Sequence, residues 1–109
     1  MISESDLQEQ VIQLAETFGW RWMHVFPLRT KHGWRTPTTW KGWPDLTLFR
    51  PPGDILFLEL KGPDTPTKPE QIETIAYLDG LAGVRARIVN EDDWPWIQDA
   101  LTTRNPNPG

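Results

Sequence analysis

Apolar residues follow a helical spacing at the start of the chain. One stripe of the helical wheel holds Leu7, Val11, Leu14, Ala15 and Phe18. This amphipathic pattern predicts a core-facing helix from about Ser5 to Phe18, with Ser5 as its N-cap and Gly19 at its C-terminal end. Glu4 continues the buried stripe backwards, whereas Glu9 projects to the opposite, solvated face.

Two short apolar runs with strand character lie in the middle of the chain. The first covers Leu46 to Phe49 and the second covers Ile55 to Leu60, and Pro51-Pro52-Gly53 separates them. Runs of this length that are bounded by Pro and Gly predict strands, and a short connection with Gly at its third position suits a hairpin. We therefore predict a central β-hairpin.

The register of this hairpin decides which polar residues meet. If Arg50 lies opposite Asp54, then Asp45 lies opposite Glu59, with Cβ atoms roughly 4.5–5.5 Å apart. Lys61 shares a face with Glu59 because strand side chains alternate. Two carboxylates at this separation repel each other unless a cation lies between them or one of them is protonated. A bulge in the hairpin would shift this register by one residue.

The remaining elements are predicted from periodicity, caps and breakers. A strand is predicted over 20–26, a helix from about Lys68 to Ala82, a strand from Val84 to Val89 and a last helix from Asp93 to about Leu101. The second helix has Thr67 as its predicted cap. Its predicted inward residues are Ile72, Ile75, Ala76 and Ala82. The order α-β-β-β-α-β-α predicts an α/β (α+β) fold, with a mixed sheet flanked by helices and the 84–89 strand as a parallel crossover.

Length and composition limit the class of protein. A chain of 109 residues predicts one domain, over 1–103, and the tail 104–109 is predicted to be disordered. Cysteine is absent, which excludes disulfides and thiolate metal sites. No stretch approaches the length of a membrane span, and no signal peptide is recognised. We therefore expect a cytoplasmic protein.

Charge is distributed unevenly along the chain. The net charge is −4, but residues 21–50 carry six basic residues against Asp45 alone. Basic residues in the predicted loop 27–41 alternate with tryptophans, a composition that holds a nucleic-acid backbone and stacks unpaired bases. The candidate nucleic-acid-binding residues are Arg29, Lys31, Arg35, Lys41 and His24. Alternatively, the charges are solubilising, His24 is structural, and the tryptophans pack or form a dimer interface.

The acidic residues suggest a chemistry. Hard oxygen ligands such as Asp45 and Glu59 select Mg²⁺, which commonly takes only one or two protein carboxylates. A lysine beside that ion, here Lys61, orients an attacking water and stabilises charge on a phosphate. This combination is typical of metal-assisted phosphodiester hydrolysis.

The same residues resemble a known family. Pro44-Asp45 followed by Glu59-Leu60-Lys61 resembles the signature of the PD-(D/E)XK nuclease superfamily. Gly42-Trp43-Pro44-Asp45-Leu46, Glu59-Leu60-Lys61-Gly62 and Pro69-Glu70-Gln71 are similar to the VRR-NUC family within it. The resemblance implies a restriction-endonuclease-like αβββαβ core and a Mg²⁺- or Mn²⁺-dependent nuclease.

The resemblance also implies roles for individual residues. Asp45, Glu59 and the Leu60 backbone carbonyl would bind the metal, and Lys61 would position the attacking water. Gln71 would contact the water or the phosphate, and Glu4, preferred over Glu9, would complete the acidic cluster. Alternatively, Gln71 is an amide on the helix surface, and Glu4 only interacts favourably with the helix dipole. Stand-alone members of the family are expected to act as homodimers on branched DNA such as four-way (Holliday) junctions.

Two other classes of function stay open from the sequence. The chain could be a catalytically inactive nucleic-acid-binding module of the same fold. It could also be an interaction domain that binds a protein partner through exposed tryptophans.

Overall fold

The computed structural model describes residues 1–25, 28–35 and 39–103. Phe26, the last residue of the predicted strand 20–26, and the predicted tail 104–109 lie outside these ranges. None of the helices within these ranges has the length and hydropathy of a membrane span.

The chain forms an α+β fold in which helices flank a mixed sheet. The elements are α1 (Glu4–Thr17), β1 (Arg21–His24), β2 (Leu28–Thr30), β3 (Gly33–Arg35), β4 (Leu46–Arg50), β5 (Asp54–Leu60), α2 (Pro69–Asp79), β6 (Val84–Val89), a 3₁₀ turn (Glu91–Asp93) and α3 (Trp94–Thr102). The four strands of the main sheet lie in the order β1-β4-β5-β6, with β6 parallel to β5 and the other neighbours antiparallel. The antiparallel hairpin of β4 and β5 and the parallel crossover to β6 were predicted, whereas the pairing of β1 with β4 was not. Strands β2 and β3 form a separate two-stranded hairpin.

The predicted register of the central hairpin is confirmed. Arg50 pairs with Asp54, and the pairing continues without a bulge to Leu46 opposite Leu58. Continued by one position, this register sets Asp45 opposite Glu59. The alternation of faces along β4 and β5 is therefore the one that the sequence pattern requires.

The sheet carries a hydrophobic core on each face. Leucines at even-numbered positions of β4 and β5 pack with α1 and α3, and the core on this face contains Leu7, Val11, Ala15, Trp20, Leu46, Leu48, Leu56, Leu58, Leu60, Val89, Ile97, Ala100 and Leu101. The opposite core is smaller and is covered by α2, with Phe57, Ile75, Leu78 and Ala86 buried and Trp43 packed against them. Odd-numbered residues of β5 therefore face α2, and this is the face of Glu59 and Lys61.

The first helix starts earlier than predicted. Its N-cap is Ser3, whose hydroxyl accepts a hydrogen bond from the backbone N–H of Asp6 at 3.1 Å. The prediction of Ser5 as the cap was wrong, because Ser3 has the extended backbone that an N-cap needs. As a result, Glu4 is the first residue of α1 and lies in its first turn.

The second helix is shorter than predicted, and a different stripe of it faces inward. It follows Lys68 rather than Thr67 as its cap and stops at Asp79, with Gly80 at the C-cap. Its buried residues are Thr74, Ile75 and Leu78, whereas the predicted inward residues Ile72, Ala76 and Ala82 are exposed. The prediction failed because it followed the apolar residues alone, while the buried stripe also carries a threonine that makes hydrogen bonds.

The predicted loop 27–41 contains regular structure. Strands β2 and β3 pair from Leu28 opposite Arg35 to Thr30 opposite Gly33. The Thr30 hydroxyl donates to the Gly33 carbonyl and accepts from the His32 N–H, which closes the turn. The pattern of residues does not predict this hairpin, because each strand has only three residues and lacks an alternating apolar face.

Candidate active site

The adjacent ends of β4 and β5 bring Asp45 and Glu59 together. Asp45 directly precedes β4, and its Oδ2 atom accepts a hydrogen bond from the backbone N–H of Leu60 at 3.0 Å. Glu59 is 3% exposed, and Asp45 is partly buried. The hydrogen bond fixes the Asp45 carboxylate beside the strand that carries Glu59.

Lys61 and Gln71 complete a hydrogen-bonded cluster around Glu59. The Lys61 Nζ atom lies 3.3 Å from Glu59 Oε2, and it donates to Gln71 Oε1 at 2.8 Å and to the Pro66 carbonyl at 3.1 Å. The Gln71 Nε2 atom donates to Glu59 Oε2 at 3.0 Å. The lysine ammonium and the glutamine amide therefore hold the same carboxylate oxygen from two sides.

The start of α2 determines where Gln71 points. Its Oε1 atom also accepts from the backbone N–H of Lys68 at 2.9 Å, one of the N–H groups that a helix start leaves without an intrahelical partner. Thus one side chain both caps α2 and binds two charged residues of the site.

Gly42 permits the close approach of α2. Its φ is +85°, and a Cβ atom at this position would lie 2.6 Å from the backbone carbon of Glu70 and 3.0 Å from the nitrogen of Gln71. Any side chain here would push the first turn of α2 away from the strand ends. The glycine that belongs to the Gly42–Leu46 motif therefore has a packing role next to the site.

Glu4 reaches the same site from the other side of the sheet. Its backbone nitrogen would lie 3.1 Å from a Cβ atom on Gly62, and its Oε2 atom accepts from the Thr65 hydroxyl at 3.3 Å. Burial and the negative charge of Asp45 raise the pKa of Glu4, against the opposing effect of Thr65, Lys61 and His24. Glu9, the alternative acid of this helix, is exposed.

Glu59 has the most perturbed carboxyl group of the site. Burial, followed by the nearby Asp45 carboxylate, raises its pKa to about 7, although Lys61 acts in the opposite direction. Its Oε1 atom is buried and has no hydrogen-bond partner among the residues that the structure describes. A perturbed acid with an unsatisfied oxygen in a cleft is a frequent mark of a functional site.

A groove of about 620 Å³ opens over Asp45 and Glu59. Two of the predicted nucleic-acid-binding residues, Arg35 and Lys41, line it. Arg29 and Lys31 are exposed on the β2–β3 hairpin, and His24 is not among the described residues that line the groove. The described lining is Val25, Trp34, Arg35, Thr39, Lys41, Gly42, Trp43, Pro44, Asp45, Glu59, Lys68, Glu70 and Gln71.

The tryptophans that flank this groove differ in their surroundings. Trp40 and Trp43 contact each other with ring centroids 5.2 Å apart, and Trp43 packs edge-on against Phe57 at 5.4 Å. The indole N–H of Trp40 donates to the Thr74 hydroxyl at 3.1 Å. These two rings therefore belong to the packing of α2, whereas Trp34 is 66% exposed.

One residue of the basic segment has a structural role instead. Arg50 is buried, pairs with Asp54 at 2.9 Å and donates to the carbonyls of Leu101 and Thr103. It is therefore not part of a surface that could contact a phosphate backbone. The basic residues that line the groove are Arg35 and Lys41 of this segment, together with Lys68.

The acidic residues at the strand ends form a pair rather than a larger cluster of metal ligands. In the described part of the chain, no group of three or more His, Cys, Asp or Glu side chains could hold an ion. The pair Asp45 and Glu59 nevertheless suits Mg²⁺, which retains several waters and needs only one or two carboxylates. The Oε1 atom of Glu59, which has no hydrogen-bond partner among the described residues, is an oxygen ligand of the type that Mg²⁺ prefers. Leu60, whose N–H binds Asp45, stays a predicted carbonyl ligand.

Three contacts of the site could not be found from the sequence. Pro66 binds Lys61 through a main-chain carbonyl, which any residue could supply. Thr65 meets Glu4 across 61 positions of the chain. Gly42 did carry a signal, because a glycine before Trp-Pro-Asp stands within the quoted motif, but the sequence does not reveal which backbone it approaches.

Comparisons with protein-family models, with curated proteins and with solved structures find no match to this chain.

Proposed function

We propose that the protein is a metal-dependent endodeoxyribonuclease of the PD-(D/E)XK type, similar to the VRR-NUC family. The observation that carries the proposal is the pair of Asp45 and Glu59 in a groove that Arg35 and Lys41 also line, with the Lys61 ammonium in contact with Glu59. A carboxylate pair beside an ammonium group suits phosphodiester hydrolysis better than it suits fold stability, because the acids outnumber the base.

Each side chain has a role in this proposal. Asp45 and Glu59 would hold Mg²⁺ or Mn²⁺, with the Leu60 carbonyl as a further ligand. The bound ion would supply positive charge for the phosphate oxygens and an acidified water. Lys61 orients the attacking water, and Gln71 keeps Lys61 and Glu59 in place through its two hydrogen bonds. Water attacks phosphorus in line, and the bond to the 3′-oxygen breaks.

Glu4 adds a third carboxylate to the proposed site. It lies close enough to Asp45 for that negative charge to raise its pKa. A third acid strengthens the local negative potential that attracts a divalent cation. In this proposal Glu4 acts on the metal through its charge or through a water.

The proposed substrate is branched DNA, and the proposed active form is a homodimer. Two strands of a four-way junction can be cut symmetrically only if two sites act, and one chain supplies one cluster. This part of the proposal rests on the resemblance to the VRR-NUC family, with Arg35 and Lys41 on the groove wall as the contacts for the phosphate backbone.

The test is a cleavage assay with purified protein on a labelled four-way junction, a flap and a plain duplex. Each substrate is incubated with Mg²⁺, Mn²⁺ or EDTA. We expect cleavage with either metal and none with EDTA. Asp45→Asn should abolish cleavage while DNA affinity stays equal or rises, since one negative charge that repels phosphate is removed. The matched control is Asp92→Asn, at an exposed acid of the 3₁₀ turn. Parental cleavage by Asp45→Asn would disprove the metal assignment.

A second candidate is a nucleic-acid-binding module without catalytic activity. The observation that favours it is that three acceptors, Glu59, Gln71 and the Pro66 carbonyl, already satisfy the Lys61 ammonium. Such a closed cluster can serve stability alone. DNA binding without metal-dependent cleavage in the same assay would support this function, and absence of DNA binding would favour a domain that binds a protein partner.

A further inference from the structure

We propose that Trp34 on the β2–β3 hairpin stacks an unpaired nucleobase at the mouth of the acidic groove, so that the preferred substrate has an unpaired nucleotide beside the phosphodiester that is cut. The inference rests on the proposed nuclease function and deepens it. It concerns which DNA the groove accepts.

Trp34 is displayed on a short, exposed hairpin. The residue is 66% exposed, and the other side chains that the structure describes between residues 29 and 35 are exposed as well. Burial of this ring in the folded chain therefore contributes little to the core. A large aromatic face held in solvent on a two-stranded element is available to a ligand that offers a flat ring.

A cation accompanies the ring. Arg29 lies directly opposite Trp34 in the hairpin register, and its guanidinium is 5.9 Å from the ring centroid. The hairpin 28–35 also carries Lys31, His32 and Arg35 and has no acidic residue. Aromatic rings with basic residues between them match the two parts of an unpaired nucleotide, which are a flat base and a charged phosphate.

The groove connects the ring to the acidic cluster. Trp34 and Arg35 line the same groove of about 620 Å³ as Asp45 and Glu59. A strand whose base contacts Trp34 therefore has its backbone directed along Arg35 and Lys41 towards the carboxylates. No such continuity is available to Trp22, which lies on β1 and is not among the described residues that line the groove.

The geometry favours unpaired over paired DNA. Bases within a duplex already stack on their neighbours and expose only their edges in the grooves, so they cannot offer a face to an indole. An unpaired base at a flap, gap or junction offers that face at little cost. The hairpin therefore discriminates by DNA structure, and no side chain for sequence readout is required.

The test uses three DNA probes that carry one 2-aminopurine, placed in a single-stranded flap, in a gap or in a fully paired duplex. Fluorescence and affinity are measured in EDTA, which prevents metal-dependent cleavage. We expect strong quenching of the unpaired probes by the wild-type protein and by Trp34→Phe. Trp34→Ala should lose the quenching and bind unpaired probes about tenfold more weakly, as expected for one lost base–aromatic stack, while its affinity for the duplex changes little.

Trp22→Ala is the matched control, because Trp22 is also exposed, at 39%, but lies on the edge strand of the main sheet. It should behave as the wild type. The inference is overturned if Trp34→Ala quenches and binds unpaired probes as the wild type does, if it weakens paired and unpaired probes equally, or if no probe binds. Parallel reactions with Mg²⁺ separate the two proposals. Quenching that depends on Trp34 without any cleavage contradicts the nuclease and leaves the stacking site, whereas cleavage that ignores Trp34 contradicts the stacking site alone.

Discussion

The central hairpin buries a charged pair at each of its ends, and the two pairs differ in their surroundings. Arg50 and Asp54 flank the turn at a distance of 2.9 Å, with side chains 6% and 3% exposed. Lys61 and Glu59 lie at the open end at 3.3 Å, with side chains 9% and 4% exposed. Burial and separation are thus similar, so the two pairs are a natural comparison within one molecule.

At the turn, two arginines surround one aspartate, so positive charge is in excess. Asp54 accepts two hydrogen bonds from Arg50 and lies 3.8 Å from Arg85. The guanidinium of Arg50 also binds main-chain carbonyls and lies 4.4 Å from the centroid of the Trp20 ring. This arrangement ties the turn to the ends of α1 and α3, which is a structural role.

At the open end, negative charge is in excess. Asp45 and Glu4 surround the pair of Glu59 and Lys61, and the pKa of Glu59 is raised to about 7. A groove reaches this end. Burial of an ion pair therefore says little about its role, whereas an excess of carboxylates beside a groove is a feature of functional sites.

Replacement of the basic residue of each pair by methionine should separate the two pairs most strongly, through the rate of cleavage. Lys61→Met should lower the metal-dependent cleavage rate about 100- to 1,000-fold, the usual loss when one group that stabilises transition-state charge is removed. Single-turnover cleavage of a flap or junction substrate measures it. Arg50→Met is the matched control and should cleave normally per folded molecule. Equal activity of Lys61→Met and the wild type would place both pairs in the structural class.

For the free energy of unfolding, the order of the two variants should be reversed, with the larger loss in Arg50→Met. Arg50→Met leaves Asp54 buried without its main partner, which costs about 3–5 kcal/mol in the free energy of unfolding. Urea denaturation at neutral pH measures this loss. Lys61→Met should cost less, because the raised pKa of Glu59 allows that carboxyl to take up a proton in place of the lysine charge. A larger loss for Lys61→Met would reverse the comparison.

Two glycines with nearly the same φ allow the cost of backbone strain to be measured apart from the cost of a steric clash at the open end of the hairpin. Gly42 and Gly19 have φ values of +85° and +84°, but a Cβ atom on Gly19 would meet nothing within 4 Å. Gly19→Ala should therefore cost about 1 kcal/mol from backbone strain alone. Gly42→Ala should cost about 2 kcal/mol more, because it also pushes α2 away.

The same pair of variants tests the position of Gln71. Displacement of the first turn of α2 weakens the bonds of Gln71 to Glu59 and Lys61, so Gly42→Ala should also lower cleavage per folded molecule. Gly19→Ala should leave it unchanged. Similar stabilities of the two variants in thermal denaturation would show that α2 accommodates a methyl group at position 42.

The smallest expected effect is a dependence of stability on pH. The pKa of Glu59 rises from 4.5 to about 7 on folding, so between these values the folded state binds a proton that the unfolded state has lost. In EDTA, the contribution of this group to the free energy of unfolding should therefore fall by about 2–3 kcal/mol as pH rises from 5 to 8. Urea denaturation at both pH values measures this change.

Two substitutions isolate the group that titrates. Glu59→Gln should remove this part of the pH dependence, whereas Glu9→Gln, at an exposed acid, should keep it. An unchanged pH dependence in Glu59→Gln would assign the titration to another group. Addition of Mg²⁺ at pH 8 should stabilise the wild-type protein, since an ion that binds the folded state alone shifts the equilibrium towards it.

Local pattern carried much of the fold. Strand alternation and the Pro51-Pro52-Gly53 turn were sufficient to predict the hairpin register, because a two-fold side-chain period allows one register for each buried face. The same register placed Asp45, Glu59 and Lys61 on the face towards α2. The parallel position of β6 also followed from the order of elements.

Other features escaped because their signals are weak or shared between positions. Ser3 and Ser5 are equally good caps by composition, and only the path of the chain selects Ser3. The buried stripe of α2 contains Thr74, a polar residue that hydrophobic periodicity assigns to the exposed face. Its hydroxyl can be buried because it accepts a hydrogen bond from Trp40 and donates one to the Lys41 carbonyl. The β2–β3 hairpin was missed because the side chains that the structure describes in it, those of residues 29–35, are all exposed.

The two strands, their turn and the acids at their ends could be read from the chain alone, because they depend on sequence neighbours and on a strict alternation of faces. The surroundings of those acids depend on the packing of distant segments. Gln71, Glu4, Thr65 and the Pro66 carbonyl reach the cluster from separate segments. Their approach depends on how closely backbones pack, as at Gly42 and Gly62, and no local pattern of residues encodes that distance.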